Sequence, residues 1–192
     1  MINERWQVTV RSRPLFLSAW LSKEECVDLT GEWAARQSEA HPAAISIPFF
    51  GSVIFKPGRN AQIVWLESSA NWLSERVNSI APTILSSSDL RAGDLQIARY
   101  VSGGGHFWHQ DTSFGVTRGP VFSVICQLSD ERDYEGGDLV FLDGLSVVRA
   151  PRGQGSVCVV PSAAWHRVHP IRSGVRFSAT FWLWTSESSA IG

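Results

Sequence analysis

The sequence lacks the usual features of membrane, secreted and nucleic-acid-binding proteins. None of its 192 residues belongs to an apolar run near the roughly 18 residues of a membrane-spanning helix, and its first segment, MINERWQVTVRSR, has no apolar centre typical of a secretory signal. A formal net charge of −1 gives no reason to expect a nucleic acid or an anionic membrane as partner. Three scattered cysteines without a C-x-x-C pair, Cys26, Cys126 and Cys158, predict reduced thiols and a cytoplasmic protein.

The composition is that of an ordinary globular protein. Hydrophobic residues make up 44% of the chain and charged residues 18%, which excludes a disordered chain. No internal repeat is present, and a chain of 192 residues fits one domain. The glycines 103–105 are not followed by a helix with a lysine, so they do not form a phosphate-binding loop. We expect them to form a mobile lip beside a functional site.

Helix signals lie in the first half of the chain. Ser22 and Glu25 form a capping box that predicts a helix running to about Ala40. An apolar stripe predicts a second helix over about Ser69–Ile80, and Pro82 is expected to end it. The helices are therefore expected mainly within residues 20–82.

Strand signals dominate the second half. Apolar, β-branched segments separated by Gly, Pro and Asp turns predict a sheet-rich core over residues 95–185. Together with the flanking helices, this pattern favours a mainly β fold of the jelly-roll type, a double-stranded β-helix. The predicted strands are one or two within Ile45–Phe55, and then Leu95–Val101, Val121–Leu128, Asp138–Leu142, Ser156–Val160 and Arg176–Trp184.

A His-x-Asp pair, His109 and Asp111, is the strongest chemical signal. In an extended segment, side chains two residues apart point to the same side, so both can reach one ion. Two imidazoles and one carboxylate suit ferrous iron and leave coordination positions open. His166 is the preferred third ligand and His169 the alternative; the pair itself could instead be a polar turn after the glycine loop.

Longer motifs carry a family resemblance. The segments LQIARY at 95–100, HQD at 109–111, LSDERDYEGGDLVF at 128–141 and VPSAAWHRVHPIRSGVR at 160–176 resemble the prolyl-4-hydroxylase-type Fe(II)/2-oxoglutarate dioxygenases. The sequences of these segments are most similar to those of the bacterial PKHD-type hydroxylases. The resemblance runs from Leu95 to Trp184, and the N-terminal half shows no wording of that family.

The resemblance implies a metal and its cosubstrates. Fe(II) would be bound by His109, Asp111 and His166, and 2-oxoglutarate and O₂ would be cosubstrates, with ascorbate as a candidate reductant. Arg176, ten residues beyond His166, stands where the family places the arginine for the distal carboxylate of 2-oxoglutarate. A guanidinium suits that task because it stays charged and can donate two parallel hydrogen bonds to a carboxylate. A structural ion pair is the alternative for Arg176.

Further residues follow from the same resemblance. Ser178 shares a strand face with Arg176 and could donate to the same carboxylate. Tyr100 matches the family tyrosine before the H-x-D loop and is expected to line the cosubstrate pocket. Gln127 stands where many prolyl hydroxylases have a tyrosine that holds 2-oxoglutarate, so its contact should differ. Trp182 and Trp184 alternate with Arg176, and either could form the pocket floor or pack in the core.

The implied activity is hydroxylation of an unactivated C–H bond, coupled to decarboxylation of 2-oxoglutarate to succinate. The substrate would be a peptidyl residue such as proline, or a small molecule. A metal- and 2-oxoglutarate-binding sensor without turnover is the alternative from another class. From the chain length and the lack of a second domain, we expect residues 1–192 to form one dioxygenase domain. The resemblance specifies no substrate and no oligomeric state.

Overall fold

The structure, a computed structural model, describes residues 14–47, 51–55, 57–85, 89–112 and 119–185. The N-terminal segment considered above, residues 1–13, lies outside them. Two α-helices, α1 (Lys23–Ala35) and α2 (Trp72–Leu85), pack on a large sheet. Neither they nor any other helix in the described ranges is long and apolar enough to cross a bilayer.

Helix α1 starts as predicted and ends earlier. The Ser22 side chain accepts a hydrogen bond from the Glu25 backbone N–H at 3.1 Å, and the Glu25 carboxylate accepts one from the Ser22 N–H at 2.9 Å. The prediction that the helix reaches Ala40 was wrong. The α-helix stops at Ala35 and a 3₁₀ turn, Gln37–Glu39, follows, because the chain then turns to pair with a strand.

Helix α2 is longer than expected because Pro82 does not end it. The helix runs from Trp72 to Leu85 with Pro82 inside. A proline this close to the C-terminal end removes one backbone hydrogen bond, a cost that tertiary packing can offset. Its neighbour Ala81 is buried with Leu73 and Val77 in one core cluster, which holds the last turns against the sheet.

The described strands form two main antiparallel sheets. The large sheet consists of β1 (Leu15–Leu17), β2 (His41–Pro42), β6 (Gln62–Leu66), β7 (Leu90–Ala92), β8 (Leu95–Tyr100), β10 (Phe122–Gln127), β14 (Val157–Pro161) and β17 (Arg176–Thr185). Its order is β1-β14-β10-β17-β8-β6-β2, with β7 also paired to β17. The second sheet consists of β5 (Arg59–Asn60), β9 (Gly105–His109), β12 (Leu139–Asp143), β13 (Ser146–Arg149) and β15 (His166–Val168), in the order β13-β12-β15-β9-β5. Two short hairpin-like sheets pair β3 (Ile45–Ile47) with β4 (Gly51–Val53), and β11 (Tyr134–Gly136) with β16 (Ile171–Gly174).

Alternation along the strands divides the molecule into layers. On β17, Phe177, Ala179, Phe181 and Leu183 belong to, or pack against, the cluster that the helices cover. Side chains at the alternate positions face the second sheet, as the period of two requires. There Ile125 and Val160 of the large sheet pack with Phe141 and Val168 of the second. The functional groups described below lie on this inner face.

The predicted strands of the second half are confirmed within one residue at each end, and the two short strands within Ile45–Phe55 are present. Several strands were not predicted. Strand β6 is a clear apolar run, whereas β13 is mostly exposed and β15 has only three residues. Strand β9 was the most important omission, because its polar sequence GHFWH carries His109.

Candidate metal centre

Two neighbouring strands of the second sheet position three potential ligands. His109 is the last residue of β9, and Asp111 follows it by two positions. His166 is the first residue of β15 and is the direct partner of His109 in the strand pairing. His109 therefore lies on a strand and not in a turn, so the alternative of a plain polar turn is not supported.

The three side chains converge. The distance from His109 Nε2 to Asp111 Oδ1 is 3.6 Å, and from His166 Nε2 to Asp111 Oδ2 it is 3.7 Å. One ligand atom from each residue lies within 4.8 Å of the others, a spacing suited to a single ion between them. This cluster is the one group of three potential ligands among the described residues, and it does not include His169. The backbone N–H of His169 instead donates to the carbonyl of Asp138 at 2.9 Å.

Backbone carbonyls orient both imidazoles. His109 Nδ1 lies 2.7 Å from the Phe107 carbonyl, and His166 Nδ1 lies 2.9 Å from the Ala164 carbonyl. A carbonyl can only accept, so each Nδ1 carries the hydrogen and each Nε2 keeps its lone pair. Such an outer hydrogen bond is usual for metal-bound histidine, and it directs both Nε2 atoms toward Asp111.

Two serines hold Asp111 in place. Ser123 Oγ donates to Asp111 Oδ2 at 2.6 Å and lies 3.0 Å from Ser162 Oγ. The backbone N–H of Asp111 donates to the Ser162 carbonyl at 2.8 Å. Sequence reasoning missed both serines. The available signal was Ser123 itself, a polar residue in the otherwise apolar start of β10 and fully buried in the structure.

Burial keeps His106 and His109 uncharged. The His106 ring stacks on that of His109, with centroids 3.4 Å apart. Desolvation is the main cause that lowers the pKa of both imidazoles; the proximity of His109 lowers the pKa of His106 further, and the proximity of His166 lowers the pKa of His109 further. Neutral imidazole is the form that binds a metal.

Arg176 is a buried cation near the cluster. Only 2% of it is exposed, its Nη1 lies 3.4 Å from Ser178 Oγ, and its guanidinium lies 5.5 Å from the Tyr100 ring centroid. Its Nε has no hydrogen-bond partner, and within the described part of the chain no carboxylate lies at ion-pair distance. The alternative of a structural ion pair is therefore not supported. A narrow cavity of about 50 Å³ is lined by Arg176 together with the three potential ligands.

Gln127 lies beside Arg176 but is already engaged. Its amide donates to the Ser129 carbonyl at 3.1 Å and to the Tyr134 hydroxyl at 3.0 Å. Gln127, Tyr134 and Arg176 line a second small cavity. Since Tyr134 accepts from Gln127, its own hydroxyl hydrogen can be donated toward this cavity. Sequence reasoning missed Tyr134, although it lies in the quoted segment 128–141.

Gly136 and Gly137 lie where the chain turns from β11 to β12, and Gly137 packs against Arg176. Both glycines have positive φ, 76° and 64°. A Cβ on Gly137 would collide with Ile171 Cδ1 and lie 3.1 Å from Arg176 Cδ, so a larger residue would disturb the arginine. The following residue, Asp138, is bound by Arg152 at 2.7 Å, which fixes the end of the turn.

A wider cavity of about 360 Å³ adjoins the other side of the cluster. It is reached by His109 and Asp111 and is walled largely by the N-terminal half of the chain. His41, interpreted from the sequence only as a helix terminator, lies on β2 and borders this cavity. Trp182 also lines it, whereas the ring nitrogen of Trp184 packs near Gly93. Its lining includes Arg59, Trp65 and Gln96.

Comparison with known proteins agrees with the geometry. Residues 95–184 match the model of the family described as "2OG-Fe(II) oxygenase superfamily". A PKHD-type hydroxylase of Synechococcus sp. (strain CC9902) is 39% identical over 95 residues, which cover 48% of this chain and 42% of that protein. The match thus spans somewhat less than half the length of that relative, and about half the length of another from the same genus.

Solved structures show the same fold. A Pseudomonas putida prolyl-4-hydroxylase superposes with a TM-score of 0.72 at 18% identity, covering 89% of this chain and 92% of that one. A prolyl hydroxylase from Trichoplax adhaerens, solved in complex with a hypoxia-inducible-factor peptide fragment, gives 0.77 at 17% identity and covers 98% of this chain and 90% of that one. The predicted resemblance to the prolyl-4-hydroxylase-like oxygenases and the predicted jelly-roll fold are confirmed.

Proposed function

We propose that this chain, whose residues 95–184 form a 2OG-Fe(II) oxygenase domain, is a hydroxylase that couples 2-oxoglutarate decarboxylation to oxidation of a C–H bond. The observation that carries the proposal is the convergence of His109, Asp111 and His166 beside the buried, unpaired Arg176. In the overall reaction, 2-oxoglutarate, O₂ and R–H yield succinate, CO₂ and R–OH. One oxygen atom enters succinate and the other enters the product.

The donor set fits Fe(II). Two Nε2 lone pairs and a carboxylate are the ligands that non-haem iron oxygenases use, and three protein ligands leave positions for cosubstrates. Bound iron would supply the activation of O₂. The chain's own contribution is to hold the ligands in place: two carbonyls orient His109 and His166, and Ser123 orients Asp111.

Arg176 fits the distal carboxylate of 2-oxoglutarate. A buried guanidinium with an unpaired Nε calls for an anion, because an isolated charge away from water is costly. Ser178 would add a hydroxyl donor, and the ring of Tyr100 covers one face of the guanidinium. Gln127 would act through Tyr134, since its amide donates to the Tyr134 hydroxyl.

The wider cavity next to His109 and Asp111 would hold the substrate. Its walls position a carbon atom beside the metal and limit access of water, as oxygenases require. Both a peptidyl residue such as proline and a small molecule are compatible with a hydroxylase, since function depends on the site and not on the fold.

The single-domain organisation of residues 1–192 is also part of the proposal. Strand β6 of the N-terminal half pairs with β8 in the large sheet, and the superposition on the Trichoplax enzyme covers 98% of the chain. The cytoplasmic location and the absence of a nucleic-acid partner stay predictions.

An anaerobic titration tests the proposal. Adding Fe(II) and 2-oxoglutarate should produce the visible charge-transfer band of the metal chelate, and admitting O₂ should release succinate. Asp111→Ala should lose both signals, whereas the control Asp130→Ala, at an exposed pair with Arg132, should keep them. Chelate formation without succinate release over a panel of substrates would favour a sensor, and no chelate at all would overturn the proposal.

A further inference from the structure

Arg59 is a second arginine without an anionic partner. It lies on β5, paired with His106 of β9, beside the candidate metal centre. Its Nη1 donates to the Ala44 carbonyl at 3.1 Å and its Nη2 donates to the Gln96 side-chain oxygen. Both acceptors are neutral, and its buried Nε has no partner. Across the described ranges, no carboxylate lies within ion-pair distance of Arg59.

Arg59 lines the wider cavity described above. Its volume of about 360 Å³ falls in the range of small-molecule sites, roughly 300–1,000 Å³. Arg59 is the single lysine or arginine among the described residues that line it. The one lining carboxylate, Asp111, is held by Ser123 within the metal cluster. The cavity is therefore electropositive at Arg59, and an anion would complete the coordination of the guanidinium.

Two tryptophans form an aromatic wall. The rings of Trp65 on β6 and Trp182 on β17 lie 5.8 Å apart between centroids, at an interplanar angle of 36°. Trp65 is 43% exposed, so part of its ring is free to contact a ligand. Flat apolar groups pack well on such rings.

We propose that this cavity binds the primary substrate, and that Arg59 recognises a carboxylate on a small molecule whose planar apolar body packs on Trp65 and Trp182. The inference rests on the proposed function only in calling the ligand a substrate for hydroxylation. Binding at Arg59 can be measured without turnover. Both arginines line the narrow cavity, but Arg59 also lines the wider one and Arg176 does not, so we assign 2-oxoglutarate to Arg176 and the substrate carboxylate to Arg59. A peptidyl proline offers no anion at this position, so the arrangement favours a small acid over a peptide.

Equilibrium binding of matched ligand pairs tests this inference. The probes are benzoate, phenylacetate, 3-phenylpropanoate and 4-phenylbutanoate, each compared with its primary amide. Binding is measured by tryptophan fluorescence and calorimetry with Ni(II) in place of Fe(II) and with saturating 2-oxoglutarate, so that the slot at Arg176 is filled. At least one acid should bind about 10-fold or more tightly than its amide, because a charge-assisted hydrogen bond is about twice as strong as a neutral one.

Variants locate the effect. Arg59→Gln should reduce the preference for acid over amide to about 2-fold or less, Arg59→Lys should keep part of it, and Arg132→Gln, at an exposed arginine, should leave it unchanged. Trp65→Leu should weaken acid and amide equally. An equal affinity for acids and amides in the wild-type protein, an acid preference that survives Arg59→Gln, or no binding of any probe would each overturn the inference. Tighter binding of a proline-containing peptide than of every acid would do the same and would favour a peptide substrate.

The two proposals fail separately. If the wild-type protein forms the chelate with Fe(II) and 2-oxoglutarate but shows no acid preference, the hydroxylase stands and the substrate class is wrong. If the chelate does not form, the same fluorescence titration on metal-free protein still measures the role of Arg59. An unchanged melting temperature and an unchanged affinity for 2-oxoglutarate in Arg59→Gln show that the variant is folded.

Discussion

Two arginines flank the candidate metal centre, and their surroundings differ. Arg176 belongs to the β-helix core, where β17 buries it in a narrow cavity against Ser178 and Tyr100. Arg59 belongs to the N-terminal half. It reaches the same narrow cavity, but unlike Arg176 it also borders a cavity about seven times larger, 360 against 50 Å³. The first site suits one short dicarboxylate, and the second leaves room for ligands of varied shape.

The difference also separates the two halves of the sequence. Arg176 lies inside the segment that matches the oxygenase family, residues 95–184, and Arg59 lies outside it. A chemistry shared with relatives would use the first site, and a substrate choice specific to this protein would use the second. The metal cluster lies where both cavities meet, because His109 and Asp111 line each of them.

The largest effect is expected at Asp111, which lines both cavities. Asp111→Ala removes the carboxylate from the cluster, so we expect a loss of at least about 100-fold in succinate formation, since even residues behind a ligand contribute 10–100-fold. Iron binding by calorimetry should weaken in parallel. Asp130→Ala is the control. Retained activity in Asp111→Ala would mean that the two cavities do not share a metal.

The next effect separates the two arginines. Arg176→Gln should raise the KM for 2-oxoglutarate by roughly 10- to 100-fold, because a hydrogen bond to a charged group contributes about 1.5–3 kcal/mol. Arg59→Gln is the matched control, and it should leave that KM unchanged while abolishing the preference for acidic ligands. Steady-state kinetics over a range of 2-oxoglutarate concentrations measures both. The reverse result would exchange the roles of the two arginines.

The two sides also differ in how far the sequence could predict them. His109 and Asp111 were predicted from their spacing, because alternate residues of an extended segment share a face. The family resemblance implied His166 and Arg176. Of the strands that carry them, β17 was predicted almost to the residue and the three-residue β15 was missed. Strand β9 was also missed. Its polar sequence hid the strand, because the residues that form the site replace the apolar pattern that normally marks one.

Arg59, Trp65 and Gln96 could not be predicted as a site. They are brought together by long-range pairing: Arg59 opposite His106, and Trp65 opposite Gln96. No short sequence motif indicates such pairings, because each of these residues alone is typical of an ordinary surface or strand position. Pro82 failed as a helix stop for the same reason, because tertiary packing of α2 outweighed a local preference.

A smaller effect is expected from the support of Asp111. Ser123→Ala removes the 2.6 Å hydrogen bond to the carboxylate, and we expect iron affinity to fall about 10-fold. Affinities for 2-oxoglutarate and for acidic ligands should change little once iron is saturating, because neither arginine loses a contact. The exposed Ser146→Ala is the control. Unchanged iron affinity would show that Ser123 only fills space.

Gly137→Ala should disturb the cosubstrate side alone. Its φ of 64° costs an alanine about 1–2 kcal/mol, and the added Cβ would press on Ile171 and lie 3.1 Å from Arg176 Cδ. Gly144→Ala is a closely matched control, because its φ is 61° and its Cβ would meet nothing within 4 Å. Thermal unfolding should show a loss of stability in both variants. Only Gly137→Ala should also raise the KM for 2-oxoglutarate, by about 5-fold, and an equal KM in the two would mean that the turn does not position Arg176.

The smallest effect is expected from Tyr134, which tests whether its contact with Gln127 contributes to binding of 2-oxoglutarate. Tyr134→Phe removes a hydroxyl that accepts from Gln127 and can donate toward the cavity at Arg176, so the KM for 2-oxoglutarate should rise by about 3- to 5-fold, in line with a loss of roughly 1 kcal/mol for one neutral hydrogen bond. Tyr100→Phe is the control, because it keeps the ring that covers the guanidinium. Binding of the acidic probes at the Arg59 cavity should be the same in both variants. If Tyr134→Phe and Tyr100→Phe match the wild type in 2-oxoglutarate affinity, Arg176 and Ser178 suffice for the carboxylate, and the contact between Gln127 and Tyr134 is purely structural.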